Sequence, residues 1–154
     1  MSASPMPSSN LLADLAAIVG QAHVLTGEAD RDFYAMDVYN QLKVPLAVVQ
    51  PGTIGELQKV VRTATGSGVA VVPRGGGASY TDGYLPTVTN SILLDTGRLN
   101  RIVELNEQDM YVTVEPGCTW AEVNEALDGT GLRTGYWGPL SGSKATVGGA
   151  LSQN

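Results

Sequence analysis

The stretch Val-Pro-Arg-Gly-Gly-Gly-Ala-Ser, residues 72–79, is the most informative part of the sequence. It follows an apolar, β-branched run at 69–72, which predicts that it leaves the end of a strand. Consecutive glycines allow positive φ angles and a close approach of backbone to ligand, so that successive N–H groups can converge on an anion. Ser79 adds a hydroxyl and Arg74 a positive charge. The segment therefore suits a pyrophosphate; a tight turn that simply requires glycine is the alternative.

A second glycine-rich segment lies near the other end of the chain, at residues 138–149. Its Thr146 offers a hydroxyl, and Gly148 and Gly149 permit close backbone approach. Glycine contributes 19 of the 154 residues, well above the roughly 7% of an average protein, and the excess is clustered. Two such cradles, separated by predicted strands, indicate a long ligand that is held from both sides, and the backbone amides of both segments are expected to face one diphosphate.

The residues before the first loop predict a strand, a helix and a strand. Leu46–Val49 is an apolar run between two prolines, and Thr53 with Glu56 has the spacing of a capping box at the start of a helix. That helix ends near residues 66–68, directly before the apolar run at 69–72. A helical crossover of this length normally makes the two strands parallel.

The pattern changes after residue 91. Short strands are predicted at 92–95, 101–105 and 111–115, and the last two alternate as half-buried antiparallel strands do. Thr119 and Glu122 repeat the capping-box spacing and predict a second helix. With a further amphipathic helix between Asn10 and Gly20, the fold class is α+β.

Composition excludes several functions. The net charge of −6 has the wrong sign for a general binder of nucleic acid. One cysteine and one histidine exclude an internal disulfide and a structural zinc site. The longest apolar runs fall far short of the roughly twenty residues needed to span a membrane. Because no basic residue precedes Arg31, no targeting segment is predicted and a cytoplasmic location is expected.

Two common phosphate-binding motifs do not match. A dinucleotide-binding glycine loop must open a helix, whereas Gly83 and Pro86 stand where that helix would run. A P-loop requires glycine at 143 and Ser or Thr at 145, which are Ser143 and Ala145 here. A Rossmann domain and an NTPase are therefore disfavoured.

Three motifs, taken in order and spacing, carry a family resemblance. Residues 72–79, Val-Glu-Pro-Gly at 114–117 and Ala-Thr-Val-Gly-Gly-Ala-Leu-Ser-Gln-Asn at 145–154 resemble the FAD-binding domain of the vanillyl-alcohol oxidase/PCMH superfamily. The N-terminal helix and the stretch around Tyr34 and Asp37 are similar to the start of flavoenzymes of the glycolate oxidase and D-lactate dehydrogenase type.

The resemblance implies a PCMH-type FAD-binding fold, with a small parallel βαβ subdomain followed by an incomplete antiparallel α+β subdomain and FAD held between them. It implies a flexible tail at 1–9, a helical preamble at 10–44 and an FAD-binding domain at 45–154 that is truncated at its C-terminal side. The implied cofactor contacts are Arg74, Gly75, Gly76, Gly77, Ala78, Ser79, Pro139, Gly142, Thr146, Gly148 and Gly149. Because Ala78 stands where several relatives carry a flavin-linked histidine, FAD is expected to be non-covalent.

The implied activity is oxidation of a small 2-hydroxy acid by hydride transfer to FAD. Family members are several hundred residues long, so the substrate and the catalytic acid and base are expected on an absent C-terminal domain, and no catalytic or metal-binding residue is assigned here. The fragment alone is expected to be inactive and to self-associate through uncovered apolar surface. A sugar-alcohol or lactone oxidase of the same superfamily, and a non-catalytic nucleotide-binding module, are the alternatives.

Overall fold

The computed structural model describes residues 10–135, 137–138 and 140–153. Over these residues the chain forms two compact units. Unit one comprises residues 10–74 and 79–95, and unit two comprises residues 75–78 together with the described residues from 96 onward. The tail predicted at 1–9 lies outside the described residues.

Unit one combines helices with a four-stranded sheet. Its elements, in chain order, are α1 (Leu11–Val19), β1 (Val24–Leu25), α2 (Glu28–Tyr34), β2 (Ala47–Val49), α3 (Ile54–Gly66), β3 (Ala70–Arg74) and β4 (Ser91–Asp95). The sheet order is β1-β2-β4-β3, in which β2, β4 and β3 are mutually parallel and β1 pairs antiparallel to β2. The prediction that the strands before and after α3 run parallel is confirmed.

The place of β4 corrects the sequence prediction. The sequence pattern groups the run at 92–95 with the later, antiparallel strands, whereas β4 lies between β2 and β3 and pairs with both. All five β4 residues are buried, which is typical of a central strand in a parallel sheet that is covered on both faces. Because a short buried strand has no alternation, its sequence does not indicate which sheet it joins.

The start of α3 confirms one half of the predicted capping box. The Oγ1 atom of Thr53 accepts the backbone N–H of Glu56 at 3.1 Å. The carboxylate of Glu56, however, accepts the backbone N–H of Gly52 at 2.8 Å, and not that of Thr53. The prediction of a reciprocal bond is therefore wrong, although both side chains still accept backbone N–H groups at the start of α3.

A single apolar cluster holds unit one together. It joins the inner faces of α1 and α3 to the strands of the sheet, and its members are Leu11, Leu15, Val19, Val24, Ala47, Val49, Val60, Ala64, Val69, Ile92 and Leu94. Helix α1 ends where predicted, because Gly20 has φ 89°, a left-handed conformation that favours glycine.

Unit two contains a two-stranded antiparallel sheet and two short helices. Its elements are β5 (Ile102–Asn106), β6 (Tyr111–Val114), α4 (Trp120–Ala126) and α5 (Val147–Gln153). At the start of α4 the capping box is complete: Thr119 Oγ1 accepts the Glu122 N–H at 3.1 Å, and Glu122 accepts the Thr119 N–H at 2.7 Å. The predicted antiparallel pair and the predicted second helix are confirmed.

A buried carboxylate closes the open end of the β5–β6 pair. Glu115, 5% exposed, accepts the Arg101 guanidinium at 2.7 Å and the Arg101 backbone N–H at 3.0 Å. These two bonds hold the pKa of the Glu115 carboxyl below its usual value. With a parallel sheet in one unit and an antiparallel sheet in the other, the predicted α+β class is confirmed.

Candidate cofactor-binding site

The first glycine loop occupies Gly75–Ala78, immediately after β3. In sequence it follows the last paired residue of β3, since the β3–β4 pairing ends at Arg74 and Asp95. Gly77 has φ 63°, a conformation that L side chains adopt only with strain. Among the described residues, the backbone N–H groups of Gly75, Gly76 and Ala78 have no hydrogen-bond partner. The loop therefore offers several donors for a bound anion.

The structure brings the second glycine-rich segment against this loop within unit two. A Cβ on Gly75 would overlap Oγ1 of Thr146, and a Cβ on Gly76 would overlap the carbonyl oxygen of Lys144. These two glycines are therefore required for packing of one backbone segment on another. A structural requirement for glycine, the alternative to anion binding, therefore explains why residues 75 and 76 are glycine. It does not remove the unpaired backbone N–H groups that the same loop carries.

The amides of Gly148 and Gly149 in the second segment are not free. The Gly148 N–H donates to the carbonyl of Pro116 at 3.1 Å, and the Gly149 N–H donates to Thr146 Oγ1 at 3.2 Å. A Cβ on Gly148 would lie 2.6 Å from the Pro116 oxygen, so this glycine also serves packing. The expectation that the amides of both segments face one diphosphate is therefore wrong for Gly148 and Gly149. Their role as cofactor contacts stays a prediction.

The remaining predicted residues of the second segment are placed differently. Thr146 is 4% exposed, and its hydroxyl would overlap a Cβ on Gly75. Gly142 is exposed, and a Cβ there would lie 3.5 Å from Trp137. Pro139 lies outside the described residues. Of this group, the described structure thus brings Thr146 closest to the first loop.

Arg74, the last residue of unit one before the loop, points its charge into unit one. Its Nη1 donates to the carbonyl oxygens of Tyr34 at 2.7 Å and Met36 at 3.1 Å. The guanidinium carbon also lies 4.5 Å from the ring centroid of Tyr84, and the residue is 8% exposed. The sequence predicts that this charge lies beside a phosphate. In the structure, the guanidinium instead contacts two backbone carbonyl groups and an aromatic ring of unit one.

A polar network occupies the carboxyl ends of the parallel strands. Tyr34 donates its hydroxyl to Asp95 at 2.9 Å, and Gln50 donates to the same carboxylate oxygen at 2.8 Å. Burial, reinforced by the Asp95 charge, raises the pKa of Tyr34 to about 12. This network was not predicted from the sequence. The signal was present, because Gln50, Arg74 and Asp95 each stand at the end of an apolar run.

Ser79, where the chain returns to unit one, makes local contacts. Its hydroxyl lies 2.9 Å from that of Thr81, and its carbonyl accepts the Tyr84 hydroxyl at 3.3 Å. Over the described part of the chain, no group of three or more His, Cys, Asp or Glu side chains is placed to hold a metal ion. Nor does any helix in that part have the length and apolar character needed to cross a membrane.

Comparison with known proteins identifies the family. The family model described as "FAD binding domain" matches residues 45–154. The chain belongs to this FAD-binding domain family. An FAD-linked oxidoreductase of Mycobacterium tuberculosis is 32% identical over 149 residues, which is 95% of this chain and 32% of that protein. The glycolate oxidase subunit GlcD of Bacillus subtilis is 27% identical over 152 residues, which is 97% of this chain and 32% of that protein.

The fold of this FAD-binding domain is that of solved oxidases. The structure of p-cresol methylhydroxylase with substrate bound superposes with a TM-score of 0.75 at 20% identity, covering 88% of this chain and 27% of that one. This likeness confirms the predicted PCMH-type fold. The chain spans about a third of the length of the two sequence relatives, 32% of each.

The loop fits the diphosphate of FAD. Unpaired backbone N–H groups and a glycine in the left-handed conformation are the features by which a loop receives a phosphate. Gly75, Gly76 and Ala78 supply the donors, and Gly77 supplies the turn that groups them on one short segment. FAD is thus the cofactor that the family and the loop both indicate.

Proposed function

We propose that Gly75–Ala78 binds the diphosphate of FAD through its backbone amides. The observation that carries this proposal is the set of three N–H groups, at Gly75, Gly76 and Ala78, that have no partner among the described residues. Hydrogen bonds to a charged acceptor contribute about 1.5–3 kcal/mol each, so these donors would dominate the affinity for the diphosphate. In this proposal Thr146, Gly148 and Gly149 contribute chiefly by keeping the loop in place.

FAD is held without a covalent bond. A covalent link needs a nucleophilic side chain next to the flavin, and the loop Gly75–Ala78 has none. The one cysteine, Cys118, is buried, and burial raises the pKa of its thiol to about 11, which suppresses the reactive thiolate.

The whole protein is an FAD-linked oxidoreductase that acts on a small 2-hydroxy acid of the glycolate or D-lactate type. Support comes from the likeness to glycolate oxidase subunit GlcD over 97% of this chain. Bound FAD would supply the hydride acceptor for the carbinol carbon of the substrate. The described residues of this chain bind and orient the cofactor, and the 154-residue chain alone turns over no substrate.

A titration of the chain with FAD, followed by flavin fluorescence, tests the loop assignment. Gly77→Ala places a side chain in the left-handed conformation, which costs about 1–2 kcal/mol and distorts the donor loop, so FAD affinity should fall about tenfold. Gly129→Ala is the matched control, because Gly129 has φ 82° and open space around it. It carries a similar backbone cost and should leave FAD affinity unchanged. Equal affinity of the two variants would refute the assignment.

The substrate class needs the whole protein. Anaerobic addition of glycolate or D-lactate should bleach the visible absorbance of the bound flavin, because the hydride reduces it. Bleaching by a sugar alcohol and not by either hydroxy acid would contradict the proposed substrate class while leaving the FAD site intact.

A further inference from the structure

The two ends of the cofactor loop are both held in unit one. The chain leaves this unit after Arg74 and returns to it at Ser79, so that these two residues flank the four residues of the loop. Where the ends of so short a loop are fixed, few backbone conformations remain open to it. The contacts that fix the two ends therefore restrict how its amides are grouped, in addition to the packing of the loop on Thr146 and Lys144.

The first end is fixed through the Arg74 side chain. Its guanidinium donates to the carbonyls of Tyr34 and Met36, and it lies 5.2 Å from the ring centroid of Tyr34 and 4.5 Å from that of Tyr84. A planar guanidinium is suited to this combination, because it stacks on rings while donating in its own plane. At 8% exposure the side chain is also largely removed from solvent.

The second end is linked to the first by Tyr84. The ring of Tyr84 faces the guanidinium of Arg74, while its hydroxyl donates to the carbonyl of Ser79 at 3.3 Å. One buried side chain, 7% exposed, thus contacts the residue before the loop and the residue after it. We call this pair of contacts the Arg74–Tyr84 clamp.

We infer that Arg74 and Tyr84 are positioning residues for the FAD diphosphate, acting through the Arg74–Tyr84 clamp on the loop and not by contact with the phosphate. This inference rests on the proposed function of the loop. The sequence position of Arg74 suggests a direct contact with the phosphate, whereas this inference gives Arg74 the role of positioning the loop. It also assigns a function to Tyr84, which lies outside the glycine motif.

Tyr84→Phe is the sharpest test, because it removes only the hydroxyl and changes no charge. Loss of one hydrogen bond should weaken FAD binding about fivefold, and the amide resonances of Gly75–Ala78 should move already in the FAD-free chain. Arg74→Lys keeps the charge but cannot both stack and donate to two carbonyls, so FAD affinity should fall about tenfold. Val60→Ala is the control. Val60 lies in the core of unit one, so this substitution lowers the stability of the chain without changing a residue of the clamp.

Three results would overturn the inference. FAD affinity of Arg74→Lys equal to that of the unmodified chain would show that the charge alone matters. Unchanged loop resonances and affinity in Tyr84→Phe would show that the clamp does not act on the loop. A similar loss of affinity in Val60→Ala would show that general stability explains the effect. Failure of the proposed function is distinguishable, because the unmodified chain would then show no change at Gly75–Ala78 on addition of FAD, whatever the variants do before it.

Discussion

Replacing Gly76 by alanine tests how closely the two glycine-rich segments of unit two are packed. A Cβ at this position would overlap the carbonyl oxygen of Lys144 and lie 2.6 Å from its carbonyl carbon. Non-bonded carbon atoms pack best about 3.5–4.0 Å apart, so the carbon–carbon contact alone requires the two backbones to separate by at least about 1 Å. A backbone cannot rotate aside as a flexible side chain does. We therefore expect a loss at the upper end of the range for overpacked sites, about 3 kcal/mol.

Thermal unfolding followed by circular dichroism measures this loss. For a chain of this size, about 3 kcal/mol corresponds to a fall in Tm of about 6–12 °C. Gly135→Ala is the matched control in the same unit, because a Cβ there meets nothing within 4 Å and Gly135 is not among the glycines with positive φ. That control should stay within about 0.5 kcal/mol of the unmodified chain. If the Tm of Gly76→Ala equalled that of the Gly135→Ala control, the close approach of the two segments would be refuted.

Three further outcomes are expected in unit two. Thr119→Ala removes the side chain that caps α4 and should cost about 1 kcal/mol in urea unfolding, whereas Thr119→Ser should retain most of the stability. Because the pKa of Glu115 is lowered in the folded chain, its bonds to Arg101 stabilise the fold at neutral pH, and that stability is lost as pH falls through the folded pKa. Arg101→Met should raise that pKa in an NMR titration of the carboxyl, and an unchanged value would contradict the assigned cause. Cys118 should react with a thiol reagent much more slowly in the folded chain than in urea, and equal rates would show that the thiol is not buried.

The elements of the fold that local pattern determines were predictable. Capping residues and apolar spacing located α3 and α4, and alternation located β5 and β6. The place of β4 was not predictable in the same way, because Ser91–Asp95 is buried on both faces and carries no periodic signal. Sheet order depends on contacts between distant residues, which a local pattern does not contain.

The location of the site was predictable from the sequence, but the roles of its individual residues were not. The sequence marks the glycines at 75–77 and 148–149 alike, since it shows only that side chains are absent. The structure distinguishes them: Gly76 and Gly148 leave room for another backbone segment, while Gly77 adopts a left-handed conformation. Likewise, a charge next to a phosphate loop suggests a phosphate contact, whereas the partners of Arg74 are carbonyl groups far away in sequence.

The most direct test of the account is an NMR titration of the isotopically labelled chain with FAD, in which each backbone amide is observed separately. The amides of Gly75, Gly76 and Ala78 lack partners among the described residues, so their resonances should shift most as FAD binds. Those of Gly148 and Gly149 already donate within the chain and should shift much less. Large shifts at Gly148 and Gly149 with none at Gly75, Gly76 and Ala78 would contradict the account.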